Sequence, residues 1–223
     1  AQPLSVSIAA TSGGNFEALS SAGTVANAIV DDTDSTTVTL SSATNGQSVV
    51  EGGSIVYTAS VGAPVTGTDL VVALSNGQSI TIAVGASSAN SLPFAVRADD
   101  AYVQGTQTLN VTITGTSGGN YEAVTPTGTA SATLTDDRAT TSVTIRASAA
   151  SVTEGGSIVF TATVANAVTG SALVVNLSNG QTITIPVGQT SASSAAFAVR
   201  ADDAYVQGTQ TLTVGISSTS GGN

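Results

Sequence analysis

Residues 51–61 read EGGSIVYTASV, and 103 residues further on, residues 154–164 read EGGSIVFTATV. In each copy a Gly-Gly corner leads into a short run rich in β-branched and aromatic residues, with apolar and small polar side chains alternating at period two. That is the pattern of a strand with one buried and one wet face. At the same offset, FAVRADDAYVQGTQTL from Phe94 recurs without change from Phe197. Self-similarity of this length and constancy marks tandem repeats, each a structural unit in its own right.

A third copy is present in part. TSGGNFEA from Thr11 matches TSGGNYEA from Thr116, and TSGGN returns from Thr219. The phase predicts a piece of a preceding repeat over residues 1–32, a complete repeat over 33–137 and a following repeat over 138–223 that lacks its last strand, so the ends are expected to be cuts in a longer array. Within 33–137, strands are expected at 37–40, 54–61, 70–74, 79–84, 93–98, 108–114 and 128–135, separated by Gly, Asn and Asp. Seven short strands in about 100 residues predict tandem immunoglobulin-like antiparallel β-sandwiches, an all-β fold. Asn76-Gly77 and its copy Asn179-Gly180 predict type I′ hairpins. Tyr57, Phe160, Phe94 and Phe197 read as core aromatics, Gly118-Gly119 as a positive-φ loop, and Tyr102 and Tyr205 as rings packed over the loop that carries them.

The composition narrows the function. The 223 residues are 41% hydrophobic, enough for buried cores, yet only 8% are charged. Fourteen acids against the four arginines Arg97, Arg138, Arg146 and Arg200 give a net charge of −10. With no basic patch, binding to nucleic acid or anionic membranes is not expected, and no apolar run approaches the length of a membrane span or a signal segment. Cysteine, histidine and lysine are absent, which leaves few parts for general-base or nucleophilic catalysis. Paired carboxylates serve glycoside hydrolysis only in an aromatic-lined cleft, and aromatics are 4% with no tryptophan. The chain is not expected to be an enzyme.

The acids fall in repeated slots: Glu51 and Glu154; Asp99-Asp100 and Asp202-Asp203; Asp31-Asp32 and Asp136-Asp137. If successive strands alternate in direction, Glu51, Asp99-Asp100 and Asp136-Asp137 all follow strands that end at one pole. Close carboxylates repel by about 1 kcal/mol per pair in water and about 4 kcal/mol at an effective dielectric of 20. With no lysine or histidine to balance them, a hard divalent cation is expected, calcium ahead of the more exacting magnesium. Because the next repeat starts at that pole, the ion is expected at the joint between repeats, with Asp34 or a main-chain carbonyl as a further ligand. Solvated turn aspartates are the competing reading of each pair taken singly. Glu17 and Glu122 are assigned to the opposite pole as surface residues, where they could touch the preceding repeat.

The Glu-Gly-Gly corner, RADDAYVQGTQTL, TSGGN(F/Y)EA and the terminal VDD and TDD together resemble the extender repeats of giant repeats-in-toxin biofilm adhesins of the large adhesion protein type, over essentially the whole chain. The resemblance implies an immunoglobulin-like extender, type I export, an extracellular position retained at the outer membrane, and calcium at the joints. A looser similarity to the Calx-β domain implies a calcium site from an early Glu, an acidic pair and a terminal Asp cluster, although Gln104 and Gln107 stand where that pattern usually has acids. The function expected is a structural spacer of a cell-surface adhesin. Its partners would be neighbouring repeats of the same chain, with any surface or host ligand bound through other domains. The alternative is a carbohydrate- or ice-binding module using exposed Thr-X-Thr strands such as TVTL and TITI. Low charge and near-identical repeats also raise the prospect of strand donation between chains, residues 1–32 completing the last repeat.

Overall fold

The structure, a computed structural model, describes residues 2–223. Its regular elements are all strands, and among the described residues no helix is long and apolar enough to cross a membrane. The chain divides into two compact units. One comprises Ala1–Asn45, Val56–Pro93 and Asn110–Ser131; the other comprises Gly46–Ile55, Phe94–Leu109 and Ala132–Asn223.

In the first unit β1 (Gln2–Ser7) and β2 (Thr24–Ile29) form an antiparallel pair, with Val6 opposite Val25. Both strands are exposed along their length, Val25 to 66%. Along the chain there follow β3 (Ser35–Ser42), β4 (Ser48–Val50), β5 (Ser54–Ile55), β6 (Tyr57–Val61), β7 (Leu70–Leu74), β8 (Ser79–Ile82), β9 (Ser88–Asn90), β10 (Phe94–Ala95), β11 (Gln107–Gly118), β12 (Ala123–Thr127) and β13 (Thr129–Thr135), of which β4, β5 and β10 fall in the second unit. They are arranged as a four-stranded sheet of order β12-β3-β6-β9, a five-stranded sheet of order β4-β13-β11-β7-β8 and a short β10-β5 pair. Period two carries this arrangement. Tyr57, Ala59 and Val61 of β6, Leu70, Val72 and Leu74 of β7, and Ile80 and Ile82 of β8 are all buried, while the residues between them, Thr and Ser in β6, Val71 and Ala73 in β7 and Thr81 in β8, are not.

The all-β sandwich fold is as expected, with two differences. The expected strands are broken into more segments, and the sheets are mixed. β12 runs parallel to β3, and β13 runs parallel to β4. The chain changes sheet at Gly128, whose φ is +86° and where a Cβ would lie 2.6 Å from the Leu40 carbonyl oxygen; such corners join packed sheets. Pro126 is tolerated in β12 because that strand is an edge.

The hairpin at Asn76-Gly77 is also not type I′. Among the described residues no non-glycine residue has positive φ, Gly77 N–H donates to Leu74 O at 3.1 Å and Leu74 N–H donates to Gln78 O at 2.9 Å. This is a three-residue loop, a type I turn closed by a left-handed glycine. Asn76 Oδ1 accepts from Gln78 N–H at 3.2 Å, holding the asparagine outside the left-handed region. The Asn179-Gly180 copy repeats each of these bonds.

The second unit holds the following repeat together with the segments that flank Glu51 and Asp99. The strands of the following repeat are β14 (Val143–Ala147), β15 (Ser157–Ile158), β16 (Phe160–Val164), β17 (Leu173–Leu177), β18 (Thr182–Ile185), β19 (Ser191–Ser193), β20 (Phe197–Ala198) and β21 (Ile216–Ser220). They pair as β14-β16-β19, β15-β20 and β18-β17-β21 around a core of Ile158, Phe160, Ala162, Val164, Val175, Leu177, Ile183 and Ile185. Phe197 packs against this core partly buried. No strand here corresponds to β4, β12 or β13, and residues 201–215 carry none, although their counterparts include the first half of β11.

Candidate metal centre

Glu51 sits where β4 ends, and its neighbours fix it from three sides. Its N–H donates to Thr135 O at 3.0 Å, which ties it to the end of β13 just before Asp136-Asp137. Gly52 N–H donates to Arg97 O at 2.8 Å. Gly52 has φ +73°, and a Cβ there would meet the Asp99 Cβ at 3.0 Å. The Glu-Gly corner is therefore required both by its backbone conformation and by the close approach of the Asp99 loop.

The Glu51 side chain is wholly buried, with no exposed surface. Arg97 Nε donates to its Oε2 at 2.8 Å, and the same guanidinium reaches Asp136 Oδ1 at 3.5 Å and Gly105 O at 3.4 Å. Among the described residues Glu51 Oε1 has no hydrogen-bond partner. A buried carboxylate oxygen left without a partner carries most of its desolvation cost uncompensated. Carboxylate oxygens of Glu51, Asp99 and Asp137 all lie within 4.8 Å of one another, those of Asp99 and Asp137 on exposed residues. Oxygens bound to one calcium at about 2.3–2.6 Å lie at most about 5 Å apart. An orphaned buried oxygen among carboxylates at this spacing, open to solvent on one side, fits a hard divalent cation, with water or main-chain oxygens completing the coordination.

The other aspartates of the two pairs do different work. Asp100 Oδ1 accepts from Tyr102 N–H at 2.8 Å and its Oδ2 accepts from Gln104 Nε2, which turns it into a cap for its own loop. Asp136 Oδ2 accepts from Gln104 N–H at 2.9 Å, so Asp136 braces that loop and the arginine. One member of each pair joins the carboxylate cluster and the other frames it.

In the second repeat, Arg200 donates through Nε and NH2 to the same Glu154 oxygen, Oε2, at 3.2 and 2.8 Å. Asp202 lies beside Gly155 as Asp99 lies beside Gly52, and Asp203 accepts from Tyr205 N–H at 2.8 Å. No aspartate pair corresponding to Asp136-Asp137 joins them. The Glu154 side chain is 25% exposed.

Asp31, Asp32 and Asp34 are not members of the Glu51, Asp99 and Asp137 group. They line an open surface cavity with Asn120, Tyr121 and Glu122, and the Asp34 N–H donates to Glu122 Oε2. Glu122, read from the sequence as a plain surface residue, thus belongs beside the Asp31–Asp34 segment. Its signal was the recurrence of Glu17 at the same slot. Arg97 was counted only as a charge; its place in the repeated RADD segment was the sign that it pairs with the repeated glutamate.

Sandwich-like sheets, recurring with the repeated sequence and with a carboxylate group beside Glu51, define a modular all-β protein. The chain belongs to the LapA domain family, which matches residues 34–137 and 139–223. LapA is a large adhesion protein of biofilms. No match was found among curated proteins.

Proposed function

We propose that this chain is a spacer of a biofilm adhesin at the cell surface, and that calcium held by Glu51, Asp99 and Asp137 stiffens the joint that follows the complete repeat. The observation that carries this reading is Glu51 Oε1, buried, unpartnered and grouped with two further carboxylates. When bound, the ion would supply the positive charge that lets these carboxylates stay together. Arg97, Asp136 and Asp100 hold the cluster in shape, and Glu154, Asp202 and Asp203 form the counterpart in the next repeat. Asp31, Asp32 and Asp34 mark the corresponding joint before the complete repeat. Near-identical repetition suits a spacer, since reach grows with copy number.

The test is thermal unfolding and small-angle scattering with calcium and with excess chelator. Saturating calcium at about a hundred times its dissociation constant stabilises by about 2.7 kcal/mol, so chelation is expected to lower the melting temperature and broaden the scattering distance distribution. Superimposable melting curves and profiles would sink the proposal.

A further inference from the structure

The sixteen-residue segments Phe94–Leu109 and Phe197–Leu212 are identical, yet their tyrosines stand in different surroundings. Tyr102 is half-buried, whereas Tyr205 is 79% exposed. Their local geometry is the same: each tyrosine N–H donates at 2.8 Å to the aspartate two residues before it, Asp100 or Asp203. The loop is thus preformed by its own aspartate turn, and the difference comes from what it faces. Tyr102 Oη donates to Ala167 O at 2.9 Å, and Asn223 Nδ2 donates to Val103 O at 3.0 Å. Both partners belong to the following repeat and lie in the same compact unit as the loop. Asn223 is itself held, its carbonyl accepting from Thr169 Oγ1 at 3.0 Å.

We propose that the loop Asp99–Gln104 is a clasp on the following repeat, its Tyr102 hydroxyl and Val103 carbonyl gripping the tip at Ala167 and Asn223, and that cation occupancy sets how firmly it holds. The coupling rests on the cation reading above. Asp99 contributes to the carboxylate cluster, Asp100 caps the clasp, and Asp136 anchors Gln104 N–H at its far end. The loop that grips is therefore framed by the groups that would gather around an ion. Without the ion, mutual repulsion of Asp99, Asp137 and Glu51 acts directly on the base of the clasp.

The chain has no cysteine, so Thr133→Cys and Thr184→Cys introduce a unique pair of exposed spin-label sites. Distance distributions are measured with and without calcium in this background and with Tyr102→Phe, Asn223→Ala or Tyr205→Phe added, and calcium affinity is measured by calorimetry for each. Losing one neutral hydrogen bond lowers the docked population about fivefold. Calcium should therefore narrow the distribution in the background and in Tyr205→Phe, and narrow it far less in Tyr102→Phe and Asn223→Ala, whose calcium affinity should fall by up to about fivefold because the coupling is reciprocal. Asn223 is exposed and lies outside the sandwich core, so Asn223→Ala leaves that core untouched. If calcium binds and the Tyr102→Phe and Asn223→Ala chains narrow like the background, the clasp is overturned while the cation site stands. If the background takes up no calcium, the cation reading and the coupling fall together.

Discussion

The pole that ends the complete repeat and the matching pole of the next repeat share their Glu-Gly-Gly corner and their RADDAYVQ segment residue for residue, but they are not equivalent in the structure. At the first, Glu51 is fully buried, Arg97 spreads over Glu51 and Asp136, and one carboxylate oxygen has no partner. At the second, Arg200 directs two of its nitrogens to one Glu154 oxygen and a third to Gly208 O, and the pair is partly open to solvent. The difference is β13 and the two aspartates that follow it. Pairing of β13 with β4 positions Glu51 through Thr135, and Asp136 draws the arginine and the Gln104 loop inward. Around Glu51 the repeated segments act together with β13, through Thr135, and with Asp136.

Supplying that strand should produce the largest change. A copy of Tyr121–Asp137 appended after Asn223 is expected to add a second calcium site by calorimetry. It should also stabilise the second repeat by about 3 kcal/mol, chiefly through burial of the leucine that corresponds to Leu134, in denaturant unfolding. An unchanged stoichiometry would mean that the two poles differ for some other reason. Next in size, Glu51→Ala should cost about 3 kcal/mol, because it strips a buried charge pair, whereas Glu154→Ala should cost less than about 1 kcal/mol. Equal losses in the two variants would contradict the asymmetry. Gly128→Ala should cost about 2 kcal/mol, since φ of +86° and the Leu40 carbonyl both oppose a side chain there. A melting temperature equal to that of the unsubstituted chain would remove the sheet change as the cause of the β12–β13 corner.

The smallest contrast lies in the cores, Tyr57 against Phe160. Burial raises the pKa of the Tyr57 hydroxyl above its ordinary 10.0, and a hydrogen bond with Asn76 offsets part of the rise. The folded state favours the neutral phenol, so this contribution is complete below pH 10 and is lost as pH rises through the raised value. Tyr57→Phe should cost about 1 kcal/mol at neutral pH and should flatten the loss of stability above pH 10. The same alkaline loss in both chains would place its origin elsewhere.

Much of this was legible in the residues. Period-two runs such as 54–61 and 70–74, punctuated by glycine and asparagine, specified strands and an all-β fold, and the fixed slots of Glu51, Asp99-Asp100 and Asp136-Asp137 pointed to one pole. The strand direction that put them there could be read without coordinates. Which member of each aspartate pair turns inward could not, because it is decided by side-chain to backbone bonds in loops, such as Asp100 with Tyr102 N–H, where no periodicity operates. The parallel pairings at β12 and β13 depend on a single left-handed glycine, Gly128, among many. Glu122, expected as a surface residue that could touch the preceding repeat, lies with the Asp31–Asp34 segment, a contact decided by a backbone-to-side-chain bond in a loop and not by any periodicity.

The central claim is that Glu51, Asp99 and Asp137 hold a cation. Crystals of this chain grown with calcium, with anomalous diffraction data, address it most directly. The expected result is a peak about 2.3–2.6 Å from Glu51 Oε1 and from a carboxylate oxygen of Asp99 and of Asp137. A map without a peak there, or with calcium bound instead by Asp100 or by Asp31 and Asp32, would contradict it.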